Sequence, residues 1–404
     1  MPVSDYDMAS PFTSFWMAGF ECADHLNSSR QRVSLLKETA HDLLVKHDYE
    51  RLKAFGINAV REGICWSEVE ISPYKFDFSR LERFIEAAEE TGIQQIWDIC
   101  HFGFPDDLNP MNPHFKDRFV ALCDAFATFF NLNKSDDTFP FIVTPINEVS
   151  FLSWLGGEAA ETEPYLKGEG WNVKYQLMKA YIAGIEVLKK IDPDVKILTT
   201  EPIVNIVPPL NADDFQINYA AEQHELQYQS LDMLCGRICP ELGGKPGYPD
   251  ILGFNYYYNN QWISGFKEFL PWVNTAEDMR WRPLSSLLEE AYSRYEKPMI
   301  ISETSHPGVH RPEWLNFITE QCIETLSQKI PLLGACLYPI IDRPDWNDIT
   351  LWHHAGLWDH DGMDANSRDI YEPYARCLNR CEKLLKADDS LISYEDIEII
   401  NSIG

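Results

Sequence analysis

Basic residues are scarce in this sequence: 34 Lys and Arg stand against 63 Asp and Glu over 404 residues, a net charge of −29. A field of that sign repels nucleic acid and anionic lipid, so neither is expected as a partner, while a neutral ligand is unaffected. Long apolar runs are missing too; none reaches the roughly 18 residues of a membrane-crossing helix. The opening MPVSDYDMASPF has no basic segment and no apolar stretch behind it, so no secretory signal is expected and the cytoplasm is the expected location. The ten cysteines contain no CxxC pair. Several sit in apolar strands or helices, where Cys acts as a small hydrophobe, and they are read as reduced structural thiols. Cys235–Cys239 and Cys377–Cys381 have spacing a metal can use, but no histidine cluster accompanies them, so no metal is expected. GxGxxG is absent, as is a basic phosphate cluster late in the chain; no nucleotide, flavin or other cofactor is expected. Nothing rich in Gly, Ser or Pro marks a boundary. The chain is therefore read as one domain, 1–404, with an N-terminal arm at 1–12 and an acidic C-terminal tail at 387–404. Its oligomeric state is not legible.

What is present is alternation. Hydrophobic residues make up 45% and aromatic residues 13%, enough for a large core. Short apolar runs occur at Phe15–Phe20, Ile57–Ile64, Ile93–Cys100, Phe141–Val143, Val195–Thr200, Ile251–Tyr256, Pro298–Ser302 and Leu333–Ile341. Bounded runs of this length suit strands of a parallel sheet covered on both faces. Between them lie helical patterns. Tyr49, Leu52 and Phe55 share a face ahead of Gly56. Asp77 stands where an N-cap belongs for a helix with Leu81, Phe84, Ile85 and Ala88 inward, ending at Gly92. Eight strand–helix units predict a closed (β/α)8, or TIM, barrel with elaborated βα loops.

In such a barrel the chemistry sits where strands end at their C-terminal side. The fourth run leads into Asn147 and Glu148, the seventh into Glu303. The other ends offer Glu21, Asp24, His25, Arg61, Trp66, Asp98, His101, Glu201, Asn255, Tyr257, Tyr338, Asp345 and Trp346. Two carboxylates amid amides, aromatics and an arginine suit a neutral polyhydroxylated ligand, with rings to stack on C–H faces and polar groups to hold hydroxyls.

These segments resemble the clan A glycoside hydrolases, and within them family 1, the β-glucosidase type. TPINEV is similar to that family's acid/base motif and IISETS to its nucleophile motif; VREGICWSEVE, WDICHFGFPDDL, LGFNYYYNN and YPIIDRPDW follow in the family's order. The resemblance implies a retaining exo-β-glycosidase with Glu303 as nucleophile and Glu148 as acid/base, their carboxyls about 5–5.5 Å apart. It implies that Arg61 and Tyr257 hold Glu303 ionised and that Asn147 meets the 2-hydroxyl. His25, His101, Asn255, Tyr338, Asp345 and Trp346 would bind the sugar. There are departures: Thr304 and Ser305 follow Glu303 in place of Asn-Gly, His25 stands for Gln, Tyr338 for Trp, and Asp345 for Glu. An endo-acting hydrolase, a transglycosylase or an inactive sugar-binding barrel are the alternatives. Asp98 and Glu201 are read as supporting acids, Trp66 as wall or core. His353 and His354 are read as loop residues, because adjacent side chains point apart.

Overall fold

Eight short runs form a closed parallel barrel: β1 Trp16–Gly19, β2 Ala59–Gly63, β3 Gln94–Cys100, β4 Ile142–Ile146, β5 Lys196–Pro202, β6 Ile251–Asn255, β7 Met299–Thr304 and β8 Leu332–Leu337. Each strand pairs with the one before and after it in sequence, and β1 closes on β8. The computed structural model describes residues 10–134, 139–266, 268–273, 278–360, 364 and 366–386. Residues 1–9 of the expected arm and the whole tail at 387–404 lie outside the described residues.

The crossovers carry helices α1 His41–Leu52, α2 Ser79–Thr91, α3 Phe115–Asn133, α4 Gly170–Ile191, α5 Asp214–Glu225, α6 Gln229–Leu234, α7 Leu284–Tyr295, α8 Arg311–Ser327 and α9 Glu372–Lys386. Apart from α5, which buries Ala220 and leaves Phe215, Ile217 and Tyr219 exposed, these helices put apolar residues into the core around the strands. Leu81, Phe84, Ile85 and Ala88 of α2 are buried as their spacing predicts. The expected Asp77 cap is displaced: α2 begins one residue later, with Phe78 at the N-cap, and Asp77 Oδ1 accepts the Ser79 N–H at 2.9 Å. Gly92 ends the helix at φ 69°, a left-handed turn that glycine enters without a Cβ clash. The region after β5, irregular in the sequence, contains α5, α6 and a small strand pair, Asn205–Val207 with Gln261–Ile263. Among the described residues no helix is long and apolar enough to cross a membrane.

Inside the barrel the period-2 alternation of strands sets the layers. One residue per strand fills the interior core: Met17, Ala59, Ile96, Ile142, Leu198, Ile251, Ile300 and Cys336. Two residues further along lie Gly19, Arg61, Asp98, Thr144, Thr200, Gly253, Ser302 and Tyr338. The interior thus turns from apolar to polar within one layer, and the site is built on that second layer.

Candidate active site

Arg61 organises the second layer. Its guanidinium is buried and fully engaged. Nη2 donates to Asp98 Oδ2 at 2.6 Å and to Asn147 Oδ1 at 3.1 Å, while Nη1 donates to Ser302 O at 2.7 Å and to Glu303 Oε1 at 3.0 Å. The pairing of β6 with β7 shifts register between Ile301 and Glu303, and that irregularity re-aims the glutamate. Its other oxygen, Oε2, accepts from Tyr257 Oη at 2.8 Å. Glu303 is thus held by a buried cation and a phenol. Burial, then the Glu303 charge, push the Tyr257 hydroxyl well above its ordinary range, so it stays a donor.

Glu148 follows β4 directly. Its N–H donates to Thr200 O at 2.8 Å on one side, and Asn147 N–H donates to Cys100 O at 2.9 Å on the other. Glu148 adopts φ 46°, ψ 57° and starts a short helix, Val149–Trp154, without capping it through its side chain. A left-handed non-glycine residue costs roughly 1–2 kcal/mol, which the neighbouring hydrogen bonds must offset. Glu201 contributes one of these, accepting the Ser150 N–H at 3.1 Å. Although Glu148 keeps some exposure, desolvation raises its pKa well above the usual carboxylate range; the Glu303 charge adds to this, and the Asn255 amide opposes it.

Asp98 ties the next residue in. Its Oδ2 lies 2.9 Å from His101 Nδ1. Burial disfavours a charged His101, but the hydrogen bond and charge of Asp98, backed by Glu21 and Glu303, reverse this and raise its pKa. His101 Nε2 lies 3.4 Å from Asn147 Nδ2 and 3.2 Å from Tyr338 Oη. Asn255 Oδ1 accepts from Ser302 Oγ at 2.6 Å. Tyr338 is a floor residue: it joins the interior core cluster, stacks on His101 at 5.6 Å, and presses onto Gly19. A Cβ on Gly19 would stand 1.9 Å from the Tyr338 ring.

An aromatic wall continues outward. His25 meets Trp346 edge-on at 4.7 Å, Phe102 meets Trp346 at 5.4 Å, and Phe151 links Phe102 to Trp154 at 5.8 Å on each side. His25 Nδ1 and Trp346 Nε1 are buried without a hydrogen-bond partner. Burial pushes His25 down to about 3, so its ring is neutral.

The structure therefore brings together Arg61, His101, Asn147, Glu148, Asn255, Tyr257, Glu303 and Tyr338, with His25 and Trp346 beside them. Asp345 is engaged elsewhere: Oδ1 accepts the N–H of Asn347 at 2.8 Å and Asp348 at 3.2 Å, and Oδ2 lies 3.2 Å from His353 Nε2. A carboxylate that accepts the N–H groups two and three residues on closes a local turn, which is why it folds back on its own loop. Trp66 is core, fully buried with Nε1 donating to Glu70. His354 turns away from His353, 3.5 Å from Asp342 and from Asp359. All ten cysteines are free thiols. Two clusters have ligand-type atoms close together, Cys22/Asp98/His101 and Asp342/His354/Asp359. In each an arginine already occupies a carboxylate, Arg61 on Asp98 and Arg311 on Asp359, a poor setting for a second cation. Arg343 enters the site unnamed in the sequence, 3.4 Å from Glu21, which the sequence offers as a strand-end group without a role. The signal for Glu21 is its place two residues beyond Gly19 on the inward alternation.

No protein-family model matches the chain, and no curated protein matches it in sequence. Solved structures do match in fold. A family 1 β-glucosidase from Thermotoga maritima superposes with a TM-score of 0.73 at 16% identity, over 92% of this chain and 97% of that one. A β-glucosidase from the same organism in complex with glucoimidazole gives 0.72 at 16%, over 92% and 99%. One in complex with cyclophellitol gives 0.69 at 16%, over 86% and 87%. The chain has the eight-stranded barrel fold of the family 1 β-glucosidases.

Proposed function

We propose that the chain is a retaining exo-β-glycosidase in which Glu303 is the nucleophile and Glu148 the acid/base. The observation that carries this reading is the unequal setting of the two glutamates. Glu303 is gripped by Arg61 and Tyr257, partners that favour a carboxylate. Among the described residues Glu148 meets no cation at hydrogen-bond distance; desolvation and the Glu303 charge raise its pKa well above the usual carboxylate range, against the Asn255 amide. Two carboxyls in environments this different can take the separate roles of nucleophile and acid. The fold likeness to β-glucosidases crystallised with glucoimidazole and cyclophellitol supports the same reading.

In the first step a Glu303 oxygen attacks the anomeric carbon. The bond to the aglycone oxygen breaks as Glu148 gives that oxygen its proton, leaving a glycosyl ester on Glu303. In the second step Glu148 takes a proton from water, whose oxygen attacks the same carbon and releases Glu303. Asn147, anchored by Arg61, presents its amide to the 2-hydroxyl. His101, His25 and Trp346 face the other hydroxyls, Asn255 steadies the Glu148 side, and Tyr338 forms the floor.

The test is a panel of aryl β-glycosides, scored with and without change at Glu303. Turnover of at least one sugar is expected, with loss of more than about 10³-fold in Glu303→Gly and return of activity on adding azide, which replaces the missing nucleophile. No turnover of any sugar in the panel would sink the reading.

A further inference from the structure

Every free hydroxyl of a pyranoside donates one hydrogen and needs an acceptor. Donors are plentiful at the barrel mouth; acceptors are few. Glu303 and Glu148 belong to the reaction. Asp98 is occupied by Arg61 and His101. Asp345 is occupied by its own turn and His353. Glu201 is turned to the Ser150 backbone. Glu21 remains.

Glu21 is buried just beyond the end of β1, on the strand's inward alternation. Its one short contact is the Ala23 N–H, 3.1 Å from Oε1. The rest are long: 3.5 Å to His101 Nε2, 3.5 Å to Tyr338 Oη and 3.4 Å to Arg343 Nε. A carboxylate has about four lone-pair positions, so Glu21 has capacity to spare. It also connects two groups of residues. On one side His101, Asp98 and Arg61 lead to Glu303. On the other, Arg343 lies 5.4 Å over the Trp346 ring, whose Nε1 is buried and unpartnered, and His25 with its unpartnered Nδ1 stands beside it.

We propose that Glu21 is the specificity-determining residue of the sugar pocket, accepting hydrogen bonds from hydroxyls at the non-reacting end of the glycone while Trp346 Nε1 and Arg343 donate beside it. The substrate class that follows is a β-glycoside of a neutral hexopyranose with free hydroxyls at that end. A carboxylate, phosphate or sulfate on the same end meets the Glu21 charge and is rejected. The inference rests on the glycosidase reading, and the test separates the two.

The p-nitrophenyl β-glycoside that wild type turns over best is compared with its 3-, 4- and 6-deoxy analogues in wild type, Glu21→Gln and Glu21→Ala. Wild type is expected to lose about 10- to 100-fold in kcat/KM when the recognised hydroxyl is removed. Glu21→Ala should lose a similar factor on the parent sugar and little more on that deoxy analogue. Glu21→Gln, which keeps the shape, covers the case in which the alanine variant does not fold, and it should relax rejection of the matching β-glucuronide. Variants that answer every deoxy analogue as wild type does, or Gln variants that reject the glucuronide unchanged, would overturn the assignment. Calorimetric binding of glucoimidazole is read alongside. Weaker binding in Glu21→Gln supports the assignment even in a chain that turns nothing over, which would count against the glycosidase reading alone; equal binding overturns it.

Discussion

At the scale of single residues, the proposed mechanism turns on the proton of Glu148. Burial is the larger cause and the Glu303 charge the second, and both act against ionisation. A general acid works only while protonated, so activity should persist as pH rises past the ordinary value of 4.5 and fall only through the raised one. The descending limb of kcat/KM against pH is therefore expected well above 4.5. Replacing Glu303 by Gln removes a negative neighbour and should lower the titration point of Glu148, followed by carbon NMR of the labelled carboxyl. An unchanged titration point would dismiss the charge argument. The placement of Asn147, Glu148 and Glu303 at the barrel mouth was legible in the sequence, because polar residues at the C-terminal end of a buried parallel strand emerge there. The contacts of Glu21 and the engagement of Asp345 were not, since each depends on segments distant in sequence or on the folding of a loop.

At the scale of elements, α1 is fastened to β2 through one buried imidazole. His41 Nδ1 lies 2.8 Å from Asp48 Oδ2, and Nε2 lies 3.0 Å from Glu62 Oε1. Tyr49 Oη also donates to Glu62 at 2.7 Å, Arg368 holds Asp48 from the last crossover, and Phe20 stacks on the ring at 3.6 Å. Burial alone would push His41 down; Glu62 and Asp48 reverse this and hold it at about 9 against a usual 6.5. A folded-state value above the unfolded one means stability that is complete below 6.5 and lost as pH rises through about 9. The loss is at most on the order of 3 kcal/mol. Urea unfolding should therefore show a falling midpoint across that window, and His41→Gln, weaker throughout, should show a flatter one. Equal slopes in the two proteins would exclude His41 as the source. The element pattern itself was largely legible, because strand cores repeat one physical rule. The helix start beside Asp77 was not, since a carboxylate can serve the turn before a helix as readily as the cap.

At the scale of the whole molecule, 29 excess negative charges act on a closed barrel. Like charge opposes compaction, and salt shortens its reach to about 10 Å at 0.1 M. Thermal unfolding should shift upward by several degrees between low salt and about 0.3 M sodium chloride. A downward shift would mean that attractive surface pairs such as Lys46–Glu90 outweigh the net repulsion. Barrel closure rests on the pairing of β1 with β8, at opposite ends of the chain. The count of strand–helix units anticipates that closure without specifying which side chains it brings face to face.

The sequence by itself determined the strands, the inward alternation and the two glutamates, because each follows from spacing along the chain and from the exclusion of water from apolar runs. Tertiary structure alone decided which groups share charge and hydrogen bonds. Arg61 reaches Glu303 across 242 positions, and Tyr338 lies on Gly19 where the barrel closes. Glu21 meets His101 and Arg343, while Asp345 is bound into its own loop. Those outcomes depend on distance in space, which chain order does not encode locally.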